Sequence, residues 1–334
     1  MPFVRPDVKA FLDFLNSQPG PQMHELDAPS ARQMYRAMVP IGELPRGELA
    51  HVEDLSIPGD HGHSVPARLY CPVARGGQPA PVLIYYHGGG WVIGDLETHD
   101  SLCAEIARTL GMTVIAIDYR LAPEHPFPAA ADDCLAATRW VAGSPKEIGH
   151  AVTGIVVAGD SAGGNLAAVC AQQLHDGLPV PILAQWLIYP GVDMTASSGS
   201  MEEFAEGYLL THNGMTWFMQ HYLGEGEQAL HPHASPHHTD RFHGLPPALV
   251  FTCGLDPLRD QGRAYASKLI EHGVPTVFRE AKGQIHGSLT LRQAIPSAQG
   301  DLMGCLAALR EIINEAQAEA TMAQAAEAAA QAAE

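Results

Sequence analysis

Gly154-Ile155-Val156-Val157-Ala158-Gly159-Asp160-Ser161-Ala162-Gly163-Gly164-Asn165-Leu166-Ala167-Ala168-Val169 is the stretch that decides the fold. The apolar, partly β-branched run 154–158 reads as a buried strand. Good helix formers follow from Asn165. Between them Gly159-Asp160-Ser161-Ala162-Gly163 fits G-x-S-x-G, the sharp strand-to-helix turn that lifts a nucleophilic serine above a sheet. The reading is steric. The turn forces Ser161 into a strained backbone state, and a side chain on either flanking glycine would strike the neighbouring strand or helix. The hydroxyl then stands at the positive end of a helix.

Outward from this turn, short apolar runs alternate with helical periodicity. Strands are expected at 52–57, 65–71, 82–86, 113–118, 155–158, 183–189, 248–253 and 276–280. Helices are expected at 98–110, 129–141, from the serine turn to about 175, 261–272 and 301–313. This alternation predicts an α/β protein, a mostly parallel central sheet with helices on both faces. Two stretches break it. Residues 1–50 carry Val8, Phe11, Leu12 and Leu15 at helical spacing before Pro19-Gly20-Pro21, and a second short helix at 31–38. Residues 195–244 hold Phe204, Tyr208, Trp217, Phe218 and Tyr222 but no clear strand, and are too long for a simple crossover. Both are expected to form a helical cap over one end of the sheet. The catalytic domain is then split into 51–194 and 245–314. The Ala/Glu/Gln-rich tail 315–334 is expected to be a frayed or partner-stabilised helix outside the core.

Composition bounds the function. The 334 residues include 19 Lys+Arg against 37 Asp+Glu, a formal charge of −18, which repels phosphate backbones and anionic lipid. Nucleic acid is thereby excluded as a partner, and a neutral small molecule is not. Six cysteines at 71, 103, 134, 170, 253 and 305 form no CxxC pair, so buried thiols in a reducing compartment are expected. Residues 1–14 lack the pattern of a secretory signal, and no apolar run approaches about 20 residues. A cytoplasmic chain without a membrane span is expected.

Serine needs a base. With 18 histidines, residue type alone decides nothing, but position does. Asp256 follows the strand 248–253, and His286 follows the strand 276–280 after Gly283-Gln284-Ile285. Both lie past the carboxyl ends of strands, where sites form in such sheets. Asp256 is expected to accept the ring N–H of His286, leaving the other nitrogen to take the Ser161 proton. Asp260, one helical turn on, is the rival orienter, expected to face solvent or cap the helix. His87-Gly88-Gly89-Gly90 directly follows the strand 82–86; the amides of Gly88 and Gly89, with that of Ala162, are expected to face a developing oxyanion. His87 itself is expected to order this loop. Trp91, Asp160, Tyr208 and Ser288 are candidate pocket residues, with Trp91 equally suited to the core and Asp160 to a structural role. Arg120 is expected to tie a loop to Glu124 or Asp132. His231, His233, His237, His238 and His243 cluster among prolines and glycine and read as a solvated loop, not as a metal site.

Together, His87-Gly88-Gly89-Gly90, Asp118-Tyr119-Arg120-Leu121-Ala122-Pro123-Glu124, Gly159-Asp160-Ser161-Ala162-Gly163-Gly164, Tyr189-Pro190, Asp256-Pro257-Leu258 and His286-Gly287 stand in this order along 82–287. The set resembles the hormone-sensitive-lipase-like (bacterial family IV) carboxylesterases, GDSAG subgroup, of the α/β-hydrolase superfamily. The resemblance implies the α/β-hydrolase fold, a cap built from the N-terminal segment plus an insertion, no metal or cofactor, the triad Ser161, Asp256 and His286, and hydrolysis of short acyl esters. Ser288 departs from the aromatic residue that members often carry two places after the histidine, which bears on pocket shape. Two rivals stay open: an amidase or deacetylase on the same triad, and a non-catalytic binding member of the fold. The expected partner is a small-molecule ester, and a homodimer is left open.

Overall fold

The chain is described here by a computed structural model over residues 2–73, 77–224 and 227–331. In chain order the elements are α1 (Pro6–Ser17), α2 (Ala28–Gly42), β1 (His51–Pro58), β2 (Ser64–Cys71), β3 (Ala80–Tyr86), α3 (Asp100–Leu110), β4 (Thr113–Ile117), α4 (Ala129–Ala142), β5 (Val152–Asp160), α5 (Ala162–Leu174), β6 (Ile182–Ile188), α6 (Ser200–Glu203), α7 (His212–Leu223), β7 (Ala248–Leu255), α8 (Arg259–Glu271), β8 (Thr276–Ile285) and α9 (Ser297–Gln331). The strands form one eight-stranded sheet, ordered β1-β2-β4-β3-β5-β6-β7-β8. β1 and β2 run antiparallel to their neighbours, and every pairing from β4 through β8 is parallel.

Strand side chains alternate between two cores. Ile84, Tyr86, Ile155 and Val157 pack on one face with residues of α4, α5 and α8, while Leu83, Tyr85, Val156 and Ala158 pack on the other with residues of α3 and α9. A sheet covered on both faces accounts for the nearly continuous apolar runs of β3 and β5.

Several boundaries differ from the sequence reading. β8 does not stop at Glu280 but continues to Ile285, because Gly283 takes the positive φ of 75° that lets the strand pass an irregularity in its pairing with β7. The helix expected from Thr98 starts at Asp100, since Thr98 and Asp95 exchange reciprocal bonds, Thr98 N–H to Asp95 Oδ1 and Asp95 N–H to Thr98 Oγ1, both 2.9 Å. α2 starts earlier than 31, where the Asp27 side chain caps it by accepting from Ser30 N–H at 2.8 Å. The last helix absorbs the described part of the tail into one 35-residue element; an Ala/Glu/Gln sequence offers no stop signal. Residues 332–334 of the tail lie outside the described residues. No described helix is long and apolar enough to cross a membrane.

The two segments outside the alternation, α1–α2 and the strandless stretch holding α6 and α7, both contribute walls to one cavity at the carboxyl end of the sheet, above Ser161.

Candidate active site

Ser161 sits between β5 and α5 with φ 55° and ψ −116°, a conformation that costs a non-glycine residue of the order of 1–3 kcal/mol. The neighbours enforce it. A Cβ on Gly163 would run into the Tyr86 and His87 carbonyl oxygens, and one on Gly159 into the Gly163 carbonyl. The Ser161 N–H is anchored on Ile188 O at 2.8 Å.

The partners are delivered by register. β7 and β8 pair Leu255 with Ile285, so the next residue of each strand, Asp256 and His286, emerge side by side. His286 Nδ1 lies 2.8 Å from Asp256 Oδ2, and His286 Nε2 lies 2.9 Å from Ser161 Oγ. A carboxylate oxygen accepts, so Nδ1 carries the proton and the Nε2 lone pair faces the hydroxyl. Asp256 is fully buried and its second oxygen accepts from Leu258 N–H at 2.8 Å. The Tyr189 ring flanks the imidazole, 4.7 Å between centroids. Asp260 is elsewhere, accepting from Ser200 N–H at 2.9 Å and from Arg259 Nε at 2.8 Å.

The glycine loop is held peptide by peptide. Tyr119 Oη–H donates to His87 O at 2.7 Å, and the Gly88 N–H of the same peptide unit donates to Asp160 Oδ1 at 2.8 Å. His87 Nδ1–H donates to Gly88 O at 2.8 Å. Gly89 O accepts from Val92 N–H at 3.1 Å and Ile93 N–H at 2.9 Å. In a trans peptide, C=O and the following N–H point in opposite directions. Pinning the carbonyls of Gly88 and Gly89 therefore turns the N–H groups of Gly89 and Gly90 the other way, and no described protein group accepts from either. Ala162 opens α5, so its N–H has no partner within the helix. Gly89, Gly90 and Ala162 line the cavity. The expectation for Gly88 is thus corrected: its amide is engaged by Asp160 Oδ1 and, at 3.3 Å, by His99 Nε2, whereas those of Gly89 and Gly90 are not engaged by any described protein group.

Asp160 fills both roles weighed for it: it borders the cavity and anchors this loop. It is 3% exposed, takes a second bond from Tyr85 Oη–H at 2.9 Å, and lies 3.2 Å from His99 Nε2. Burial alone would raise its carboxyl, but the adjacent His99, with the Tyr85 hydroxyl, outweighs that and holds it below the ordinary carboxylate range. Burial, then the neighbouring His99, pushes the His87 imidazole down to about 4, which suits a neutral ring that orders the loop; it stacks on Tyr119 at 4.3 Å.

A family model described as the α/β-hydrolase fold matches residues 83–290. The chain is 44% identical over 276 residues to the carboxylic ester hydrolase LipN of Mycobacterium tuberculosis, spanning 80% of this chain and 72% of the relative. It is 35% identical to an ethyl acetate hydrolase of Pseudomonas putida over 92% of this chain and 99% of that protein. An ester hydrolase from the metagenome of Lake Arreo, solved with a derivative of bipyridine phosphonate, superposes with a TM-score of 0.87 at 39% identity, over 92% of this chain and 99% of that one. The chain belongs to the hormone-sensitive-lipase-like family of α/β-hydrolase carboxylesterases.

The esterase's cavity has a volume of about 1050 Å³. Trp91 serves both roles expected for it: it borders the cavity and stacks on Tyr222 at 4.3 Å with parallel planes. Tyr208 and Ser288 do not line it. Tyr208 packs edge-on against Phe204 beneath, while Gly207, Leu209 and Leu210 face the cavity. Ser288 is fully buried with Oγ 3.6 Å from Cys253 Sγ, and Gly287, Thr290 and Leu291 take the lining positions. Arg120 finds neither expected partner. It forks onto Asp133, with Nε 2.9 Å and an Nη nitrogen 2.8 Å from the carboxylate, because Asp133 lies on the buried face of α4 and Asp132 does not. Glu124 instead meets Arg32 of α2, whose guanidinium pulls it down to about 2.

Arg32 went unrecognised in the sequence. Its Nε donates to Val92 O at 2.8 Å and an Nη nitrogen to Ala122 O at 2.9 Å, bracing the glycine loop from the N-terminal segment. Arg36, one turn on, pairs with Asp95. The one available signal was their i,i+4 spacing on a polar face. The histidines at 231–243 meet different neighbours: His231 and His233 meet edge-on at 5.0 Å between centroids, His238 lies 2.9 Å from Asp193, and His243 packs on His272. Among the described residues no three ligating side chains converge.

Proposed function

We propose that this carboxylesterase hydrolyses short-chain acyl esters by two-step acyl transfer. Ser161 Oγ attacks the ester carbonyl while His286 Nε2 takes its proton and Asp256 stabilises the imidazolium. The tetrahedral oxyanion receives the N–H groups of Gly89, Gly90 and Ala162, which need no reorganisation. Collapse expels the alcohol with the proton held by His286. Water then attacks the acyl-enzyme through the same base and frees the acid. The unbroken relay Asp256–His286–Ser161, with bonds of 2.8 and 2.9 Å, carries this reading. Short acyl groups follow from the family resemblance, and the relative named for ethyl acetate agrees with them.

In the same reading α1–α2 and residues 195–244 form a cap around a catalytic domain of 51–194 and 245–314. An intact relay favours turnover over a purely ligand-binding role. Hydrolysis of paired ester and amide substrates by wild type and Ser161→Ala tests the assignment. Esters are expected to turn over and matched amides to lag, with the variant at least about 10⁴-fold slower. A variant keeping a tenth of the activity contradicts it.

A further inference from the structure

The cavity over Ser161 is larger than a short ester requires. Its volume of about 1050 Å³ lies at the top of the range that encloses drug-sized ligands. Its walls are unusual in kind. Seven of the chain's 11 methionines line it, three from residues 23–38 and four from residues 194–219. Met34 and Met38 stand four residues apart on α2, and Met215 and Met219 four apart on α7. That spacing puts each pair on one helix face. α7 also approaches the reacting centre, since a Cβ on Gly90 would run into the Phe218 ring.

Its charge is one-sided. The acidic residues on the wall are Asp160, Asp193 and Glu206, and no Lys or Arg is among the described lining residues. The nearby cations Arg32 and Arg36 are engaged with Glu124 and Asp95. An anionic substrate group therefore meets no counter-charge, inside a chain of formal charge −18. Unbranched thioether side chains have three rotatable bonds and repack around differently shaped partners, where branched side chains impose one shape.

We propose that the esterase acts on short-acyl esters of bulky, uncharged, apolar alcohols of varied shape, with the alcohol filling the methionine-lined part of the cavity. This rests on the carboxylesterase reading, in which the acyl arm is short and the remaining volume falls to the leaving alcohol.

The test is a panel of acetates measured on the full-length enzyme: ethyl, cyclohexyl, 4-methylbenzyl, naphthylmethyl and diphenylmethyl, with 4-carboxybenzyl acetate as the anionic counterpart of the 4-methylbenzyl ester. Wild type is expected to show kcat/KM at least about tenfold higher on the bulky neutral esters than on ethyl acetate, with a spread below about tenfold among them. The anionic ester is expected to fall about 100-fold or more below its neutral counterpart. Met34→Leu, Met38→Leu, Met215→Leu and Met219→Leu combined should widen the spread beyond about tenfold. Either helix pair alone serves if the fourfold variant does not fold. Bulky esters slower than ethyl acetate, an unchanged spread in the variants, or comparable rates on the two benzyl esters overturns the proposal. Failure of every ester, ethyl acetate included, instead defeats the carboxylesterase reading.

Discussion

Asp160 is the buried group whose removal best separates loop anchoring from direct substrate contact. Its Oδ1 accepts from Gly88 N–H at 2.8 Å and Tyr85 Oη–H at 2.9 Å, beside His99 Nε2 at 3.2 Å. Asp160→Ala leaves the buried Tyr85 hydroxyl without its acceptor and the Gly88 N–H with only its longer contact to His99 Nε2 at 3.3 Å; at about 1–3 kcal/mol for a buried donor left unpaired, a loss of about 2–4 kcal/mol of stability is expected. It also removes one of the two anchors of the His87–Gly88 peptide unit that starts the loop, leaving Tyr119 Oη–H to His87 O. Displacing even one oxyanion donor lowers kcat by about 10²–10³. Asp160→Asn keeps an acceptor oxygen and should lose only about 1 kcal/mol and up to about tenfold in kcat. The wild-type carboxyl is held below its ordinary value, so its contribution is fully present above that ordinary value and is lost as pH falls through the lower folded-state value. The stability gap between wild type and Asp160→Asn should therefore narrow in acid. Denaturant unfolding across pH, with kcat on ethyl acetate normalised to titrated active sites, reads both effects. An Asp160→Ala enzyme within about threefold of wild-type kcat and within about 1 kcal/mol in stability refutes the anchoring role.

Three further outcomes follow from the same geometry. Gly163→Ala places a methyl group against the Tyr86 and His87 carbonyls and should abolish soluble, active enzyme, as judged by yield and circular dichroism. Asp256→Asn should lower kcat about 10⁴-fold with little change in KM, through the wrong imidazole tautomer, as read by steady-state kinetics. The Asp118 carboxyl, raised to about 6 by burial and then by Asp95, favours its protonated form. Its penalty is absent below the ordinary carboxylate value and complete above the raised one. Asp118→Asn should therefore stabilise the fold at pH 8 by about 1–2 kcal/mol, allowing for partial solvent screening, and change little at pH 4, as measured by urea unfolding.

The fold was legible where local stereochemistry dictates it. The strand–turn–helix around Ser161 needs glycine at 159 and 163 for reasons visible in the residues alone, and the two-faced sheet follows from fully apolar runs such as 82–86. The nearness of Asp256 and His286 was legible only by chain order; the Leu255–Ile285 register that produces it depends on β8 running past Gly283. Which two amides of Gly88-Gly89-Gly90 are free was not legible, because it is fixed by which carbonyls the His87 ring and Val92 and Ile93 amides pin. The same holds for Arg120: Asp132 and Asp133 are neighbours in sequence but point about 100° apart on a helix. Tyr208 and Ser288 failed as pocket residues for a related reason, since Leu209, next to the first, and Thr290, two places after the second, took the cavity face.

The central claim is that Ser161 carries the acyl group during turnover. Rapid quench of the enzyme with a 4-nitrophenyl acetate excess, followed by peptide mass spectrometry, tests it most directly. The expected result is one acetyl group on the peptide containing Ser161, forming within the burst and absent from Ser161→Ala. Acetyl on another residue, or full turnover by Ser161→Ala, contradicts the account.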